Sequence, residues 1–327
     1  MEQRTFSRLG RTVGVVGLGA WQLGADWGTV TEDDATAILA AAVDNGVTFL
    51  DTADVYGDGR SEQLIGRFLR SRPDAGLTVA TKMGRRVEQR PEAYTMAHFR
   101  EWTDRSRANL GMDTLDLVQL HCPPTAVFAD DAVFDALDTL VAEGAIGAYG
   151  VSVETCDQAL TAIARPGVAS VQIILNALRH KPLERVLPAA AAAGVGIIAR
   201  VPLASGLLSG RYDEHTTFSP DDHRNFNRHG EAFDVGETFS GVDFELGLSA
   251  VRRLAPLVGP GSSMAQFALR WVLDQPGVTV VIPGARNTEQ ARRNVEAAAL
   301  PPLSAEQLGG VRDVYDELIR PQVHDRW

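Results

Sequence analysis

Asp51, Tyr56, Lys82 and His121 each stand where a short apolar run gives out into a loop, and together they have the composition of a proton-transfer site. A free tyrosine titrates near pH ~10 and is a poor acid–base group at neutrality. A cationic lysine beside it favours the phenolate and lowers that value, and Lys82 supplies such a charge. A carboxylate such as Asp51 would hold the lysine charged and in place, while His121 is suited to donate a hydrogen bond to a carbonyl oxygen next to the phenol. This set of groups protonates or deprotonates an oxygen.

The runs that carry them are Val47-Thr48-Phe49-Leu50 before Asp51, Leu77-Thr78-Val79-Ala80-Thr81 before Lys82, and Leu115-Asp116-Leu117-Val118-Gln119-Leu120 before His121; Tyr56 follows Asp51 by one short loop. Helical stretches at 61–69 and 99–110 alternate with these strands, which predicts a parallel sheet. In a parallel β/α barrel the C-terminal strand ends meet at one face, so residues distant in sequence become neighbours. Eight strand-like segments are present, at 13–18, 47–50, 77–81, 115–121, 146–152, 169–175, 195–201 and 278–282. One helix opens at Asp33-Asp34-Ala35-Thr36 and stops at Asn45-Gly46; another spans 130–143 and stops at Gly144. After the seventh strand a Gly-, His- and Asp-rich stretch runs from 205 to 241, a length usual for functional or mobile loops. Helical patterns return at 244–257 and 263–274. The tail reads as a surface helix at 305–319 with a frayed extension on the outside of the barrel; a cover over the active-site face is the rival reading. The expected fold is α/β: one (β/α)₈ TIM barrel domain over residues 1–327, with an N-terminal cap segment, a long loop after strand seven and a C-terminal helix and tail.

The chain has 327 residues, 45% hydrophobic and 22% charged, an ordinary balance for a globular protein with a large core. Its 31 basic and 42 acidic residues give a net charge of −11, which argues against nucleic acid or an anionic membrane as partner. The two cysteines, Cys122 and Cys156, offer neither a disulfide framework nor metal-ligand spacing and fit a reducing compartment. Strand alternation places Cys122 outside the site that contains its neighbour His121. The first residues lack a secretory apolar stretch, and the longest apolar run, 189–199, is too short to span a bilayer, so a cytoplasmic protein is expected. Gly17 and Gly19 are followed by Gly24 rather than by a glycine at 22, so the Rossmann phosphate fingerprint fails. The HExxH, HxH, CxxC, GxSxG and GxxxxGK[ST] patterns are absent, and metal-free chemistry is expected.

The segments Phe49-Leu50-Asp51-Thr52-Ala53-Asp54-Val55-Tyr56-Gly57, Ala80-Thr81-Lys82 and Leu120-His121 closely resemble the aldo-keto reductase superfamily. The resemblance runs nearly end to end. It takes in Gly17-Leu18-Gly19-Ala20-Trp21, Gly150-Val151-Ser152, Pro202 through Gly210, and Ile282-Pro283-Gly284-Ala285-Arg286 with Gln290 and Asn294. It implies a nicotinamide dinucleotide extended over the C-terminal face, with Asp51, Tyr56, Lys82 and His121 as the catalytic set. Ser205, Gly206 and Gly210 would let backbone amides approach the pyrophosphate. Arg286 would grip a 2′-phosphate bidentately, with Gln290 and Asn294 on the same helix face, which favours NADP over NAD. Ser152 and Gln172 match positions that hydrogen-bond the carboxamide, and Gly19, Trp21, Pro202, Leu203 and Gly284 complete the cofactor contacts.

Two positions depart from the family pattern. Val153 replaces a common asparagine, and Arg200 stands where an aromatic ring usually stacks on nicotinamide; a guanidinium stacks too, but its charge would favour polar or anionic carbonyl compounds. Trp21 and Trp27, with the loop donors His223, Arg224, Asn225, Asn227, Arg228 and His229, are expected to line a substrate pocket suited to a sugar or another polar carbonyl. The expected function is NADPH-dependent reduction of an aldehyde or ketone with Tyr56 as proton donor. The alternative is a cofactor-binding regulatory subunit with little turnover. No feature of the sequence sets an oligomeric state.

Overall fold

The computed structural model describes residues 1–24 and 30–327. Two short strands, β1 (Gln3–Phe6) and β2 (Arg11–Gly14), form an antiparallel hairpin. Eight parallel strands follow: β3 (Leu18–Gly19), β4 (Phe49–Asp51), β5 (Thr78–Met83), β6 (Leu117–His121), β7 (Tyr149–Ser152), β8 (Val168–Ile174), β9 (Gly196–Arg200) and β10 (Val278–Val281), each paired to the next. Parallel bridges from Val16 to Val281 and from Gly19 to Gly284 join first strand to last and close the (β/α)₈ barrel.

The helices are α1 (Trp21–Gly24), α2 (Glu32–Asp44), α3 (Arg60–Ser71), α4 (Met96–Leu110), α5 (Asp131–Ala142), α6 (Cys156–Ile163), α7 (Pro182–Ala193), α8 (His223–Phe226), α9 (Phe244–Leu254), α10 (Met264–Leu273), α11 (Thr288–Glu296), α12 (Ala305–Val314) and α13 (Arg320–Val323). Their boundaries follow local chemistry. In α2 the Thr31 hydroxyl accepts from the Asp34 amide while the Asp34 carboxylate accepts from the Thr31 amide, and Ala35, Ile38, Leu39 and Ala42 recur at helical spacing on the buried face. Among the described residues no helix is long and apolar enough to cross a membrane.

Alternation along the strands sorts the barrel interior into layers. At the bottom lie Phe49, Ala80, Leu117, Ile198 and Val280, all buried, with Phe6 of the hairpin inserted among them and stacked on Phe49 at 5.6 Å. Two residues further along the same strands stand Asp51, Lys82, Gln119, Arg200 and Ile282. The apolar plug thus carries the polar layer.

Two segments differ from the pattern expected of them. The segment 13–18 is not one strand: residues 11–14 belong to the hairpin that plugs the barrel, and only Leu18–Gly19 enters the parallel sheet. The tail is not frayed. Beyond a π turn at Tyr315–Ile319 it folds back so that the Trp327 ring lies on the Arg179 guanidinium, 3.6 Å from ring centre to carbon, and its Nε1–H donates to Asp234 of the long loop. A terminal aromatic ring with a large apolar face to bury holds that extension down.

Candidate active site

Asp51 and His121 are the last residues of β4 and β6, and Lys82 stands near the end of β5. Tyr56 is carried by the turn after β4. That turn packs against α1 so closely that a Cβ on Gly57, whose φ is +59°, would lie 2.0 Å from the Gly24 carbonyl oxygen, so glycine is required there. The ammonium of Lys82 donates to Asp51 Oδ1 at 2.6 Å, to the Thr52 carbonyl at 2.8 Å and to the Tyr56 hydroxyl at 3.2 Å. Its three N–H bonds are all used, as a charged lysine requires. The other Asp51 oxygen accepts from Gln172 at 2.7 Å and Gln119 at 3.3 Å. Gln119 is absent from the sequence-based site; its one signal was a polar residue inside the apolar β6 run. The His121 ring meets Tyr56 edge-on, centroids 5.9 Å apart, and its Nδ1 is buried without a hydrogen-bond partner among the described residues.

Burial sets the protonation states. It pushes the Tyr56 phenol above its ordinary value; the Lys82 charge pulls down but is outweighed, with Asp51 and Glu237 adding to the rise. Lys82 lowers the tyrosine relative to a buried phenol alone, not relative to a free one, and Tyr56 is protonated at neutral pH. Burial also disfavours the Lys82 charge, yet Asp51 and Tyr56 hold its pKa above the usual value. Burial, with the nearby Arg85, Lys82 and Arg200 charges, drives His121 well below the usual range, so the ring is a neutral imidazole.

A cavity of about 510 Å³ is walled by Asp51 and Tyr56 of this set, whereas Lys82 and His121 are not part of its wall. Every residue expected to contact the cofactor walls it except Ser152 and Gly210. Ser152 is buried and accepts a hydrogen bond from Cys122 Sγ; Gly210 ends the 3₁₀ turn Ala204–Ser209. Arg286 reaches the cavity from the loop after β10, joined by Arg211 and Arg293, which no motif in the sequence marks. Gln290 and Asn294 support that loop, accepting from the Arg286 amide at 2.8 Å and donating to the Gly284 carbonyl at 3.0 Å. Trp21 also walls the cavity, stacked near Tyr56 (6.1 Å, 20°) and packed on His223 (5.1 Å) and Phe233 (6.0 Å). Trp27 lies outside the described residues.

Of the loop donors expected in the pocket, only Arg224 is part of its wall. Asn227 is fully buried and bonds to Thr238 and to the Ala232 and Phe233 amides, so its polarity folds the loop instead.

Arg200 is an ion-paired wall residue. Its guanidinium donates to Glu154 at 2.9 Å and to the Val153 carbonyl at 3.1 Å, and Glu237 lies 3.6 Å away. Arg85 shares both carboxylates, at 3.3 Å to Glu237 and 3.6 Å to Glu154. Against burial, Arg200 and Arg85 hold Glu237 at about 2, whereas burial raises Glu154 despite Arg200. Cys122 touches this cluster without contributing to the cavity wall: its Sγ is 3.7 Å from Arg200 Nη2. The strand stops at His121, and Cys122 takes φ +48°, so the side chain no longer obeys the pleat. Burial, with the Glu154 charge, pushes its thiol up to about 12, which makes it a poor nucleophile. Cys122, Glu154 and Glu237 place potential ligand atoms within 4.8 Å of one another, but the two guanidiniums already occupy the carboxylates.

The model of the aldo/keto reductase family matches residues 15–316. The chain is 31% identical to the aldo-keto reductase YhdN of Bacillus subtilis over 296 residues, covering 89% of this chain and 86% of that protein. It is 32% identical to a D-threo-aldose 1-dehydrogenase from a Pseudomonas species over 240 residues, 62% of this chain and 72% of that one. Among solved structures, the glycerol dehydrogenase of Gluconobacter oxydans superposes with a TM-score of 0.79 at 29% identity, covering 99% of this chain and 97% of that one.

Proposed function

Because this chain belongs to the aldo/keto reductase family, we propose that it is an NADP-dependent oxidoreductase that interconverts a small hydroxylated carbonyl compound and its alcohol. The observation that carries this reading is the chain Asp51–Lys82–Tyr56, in which one buried ammonium touches both a carboxylate and a phenol. A protonated phenol held against a cation is an acid whose conjugate base is stabilised in place.

The cavity suits the cofactor. Gly206, whose φ is +95°, stands in the cavity wall where a Cβ would collide with the Tyr212 hydroxyl at 2.2 Å, so the turn there requires glycine. Arg211, Arg286 and Arg293 add guanidiniums for phosphate oxygens. NADPH, when bound, supplies a hydride to the carbonyl carbon. Tyr56 gives its proton to the carbonyl oxygen, Lys82 stabilises the phenolate left behind, Asp51 fixes Lys82, and the neutral His121 orients the oxygen. Gln172 and Gln119 hold Asp51 and keep its second oxygen satisfied.

Substrate polarity follows from the pocket walls. Trp21 offers a flat apolar face, while Arg200, Glu237 and Arg224 offer donors and acceptors, a pairing suited to hydroxylated carbon chains. The likeness to a glycerol dehydrogenase and an aldose dehydrogenase supports the same substrate class.

The test is Tyr56→Phe, read by NADPH fluorescence titration and by loss of nicotinamide absorbance with glyceraldehyde and aldoses. Binding should stay within about threefold while turnover falls by roughly 10²–10⁴. A wild-type protein that binds NADPH tightly but turns nothing over would transfer the reading to a regulatory, cofactor-holding subunit.

A further inference from the structure

We infer that Glu237, delivered by the long loop after β9, is a specificity-determining residue that turns carboxylate-bearing substrates away and accepts hydroxyl groups of neutral ones. The inference rests on the carbonyl-oxidoreductase reading for its biological sense, but its physical content is the sign of one charge in the cavity wall.

Arg200 alone would make this wall attractive to anions. The structure opposes that. Glu237 is 8% exposed and walls the same cavity as Tyr56 and Gln172, whereas Glu154 approaches Arg200 without contributing to the wall. The carboxylate that a substrate meets beside Arg200 is therefore Glu237. A second carboxylate brought there displaces Glu237 from its guanidiniums or faces a like charge with little water to screen it. A substrate hydroxyl meets no such opposition and can donate to the same oxygens.

The position of Glu237 is built, not incidental. Asp234 accepts from the Gly236 amide at 2.7 Å, setting the turn Val235–Glu237, and the same Asp234 oxygen accepts the Trp327 indole N–H at 3.0 Å. Ser205 Oγ donates to the Glu237 carbonyl at 3.0 Å. Tail and loop thus fix the carboxylate jointly, and Trp327 is a positioning residue for it.

Two readouts test this on the full chain. The first is calorimetric binding of succinate to wild type and Glu237→Gln, with and without NADP. The second is the ratio of kcat/KM for succinic semialdehyde to that for glyceraldehyde. Glu237→Gln should bind succinate roughly tenfold more tightly and raise the ratio by about the same factor, the gain shrinking with added salt. A merely structural role would depress both substrates together and leave the ratio unmoved. Trp327→Ala, which keeps the carboxylate but frees its turn, should move both readouts in the same direction by a smaller factor, and it judges the idea if Glu237→Gln fails to fold. Unchanged succinate affinity, or an unchanged ratio, in the folded variants overturns the inference. Failure of the enzymatic reading would appear instead as absence of turnover in wild type, with the succinate comparison still decisive.

Discussion

Asp54, two residues before Tyr56, is fully buried, and neither of its carboxylate oxygens has a hydrogen-bond partner among the described residues. Burial, with the charge of Glu62, pushes it up to about 7, against the pull of Arg86 and Arg105. A raised carboxylate pKa means the native state keeps a proton that the unfolded chain has released. Stability therefore falls as pH rises from about 4 to about 7 and is level above that, by on the order of 4 kcal/mol for the whole shift. Asp54→Asn, which mimics the protonated form, should remove this slope and raise the midpoint of chemical denaturation at pH 8; an unchanged slope between pH 4 and 7 would contradict the assignment. At this scale the sequence was informative about groups that end strands. Asp51, Lys82 and His121 interrupt apolar runs, so their convergence could be read. Glu237 could not be: it lies 37 residues from Arg200 along a loop, and only tertiary folding pairs them.

The eight parallel strands were visible as apolar runs, but the hairpin ahead of them was not, because β1 and β2 have 4 residues each and alternate weakly. Its contribution is concentrated in Phe6. The ring stacks on Phe49 inside the barrel, and a Cβ on Gly196 would come within 2.1 Å of it, so Gly196 leaves room for the plug. Phe6→Ala empties that space beneath the layer that holds Asp51 and Lys82. The loss expected for a buried phenylalanine is about 3–5 kcal/mol, measurable by urea denaturation. A loss below about 1 kcal/mol would mean that the hairpin is a loose cover and not a structural floor. The long loop was equally hard to read. Its polar residues look solvent-facing in sequence, yet Asn227 and His223 are fully buried, spent on internal hydrogen bonds and on packing against Trp21. Hydrophilic composition records only that partners are needed, not whether they are water, ligand or backbone.

The molecule as a whole carries a net charge of −11, while its main cavity gathers Arg200, Arg211, Arg224, Arg286 and Arg293 with, among the described residues, Asp51 and Glu237 as carboxylates. A cleft with an excess of arginines in a chain of net negative charge attracts anions locally, and low-dielectric walls focus the field there. Several of those arginines have local partners: Arg200 with Glu154 and Glu237, Arg224 with Asp222, and Arg293 with Glu289. Their net attraction is thereby reduced, and discrimination between two nicotinamide dinucleotides that differ by one phosphate must come from a guanidinium placed against that phosphate. Arg286, on a loop tied by Gln290 and Asn294, is the residue we propose for that role. A charge-assisted contact of this kind contributes about 1.5–3 kcal/mol. Arg286→Ala should then weaken NADPH binding by roughly 10–100-fold and NADH binding by no more than about threefold, as read by fluorescence titration. NADPH affinity of the wild type should decline steeply between low and high salt, and that of the variant less so, since one phosphate contact fewer is screened. Equal losses for the two dinucleotides would instead make Arg286 a support of the loop, and the 2′-phosphate would have to be held by Arg211 or Arg293.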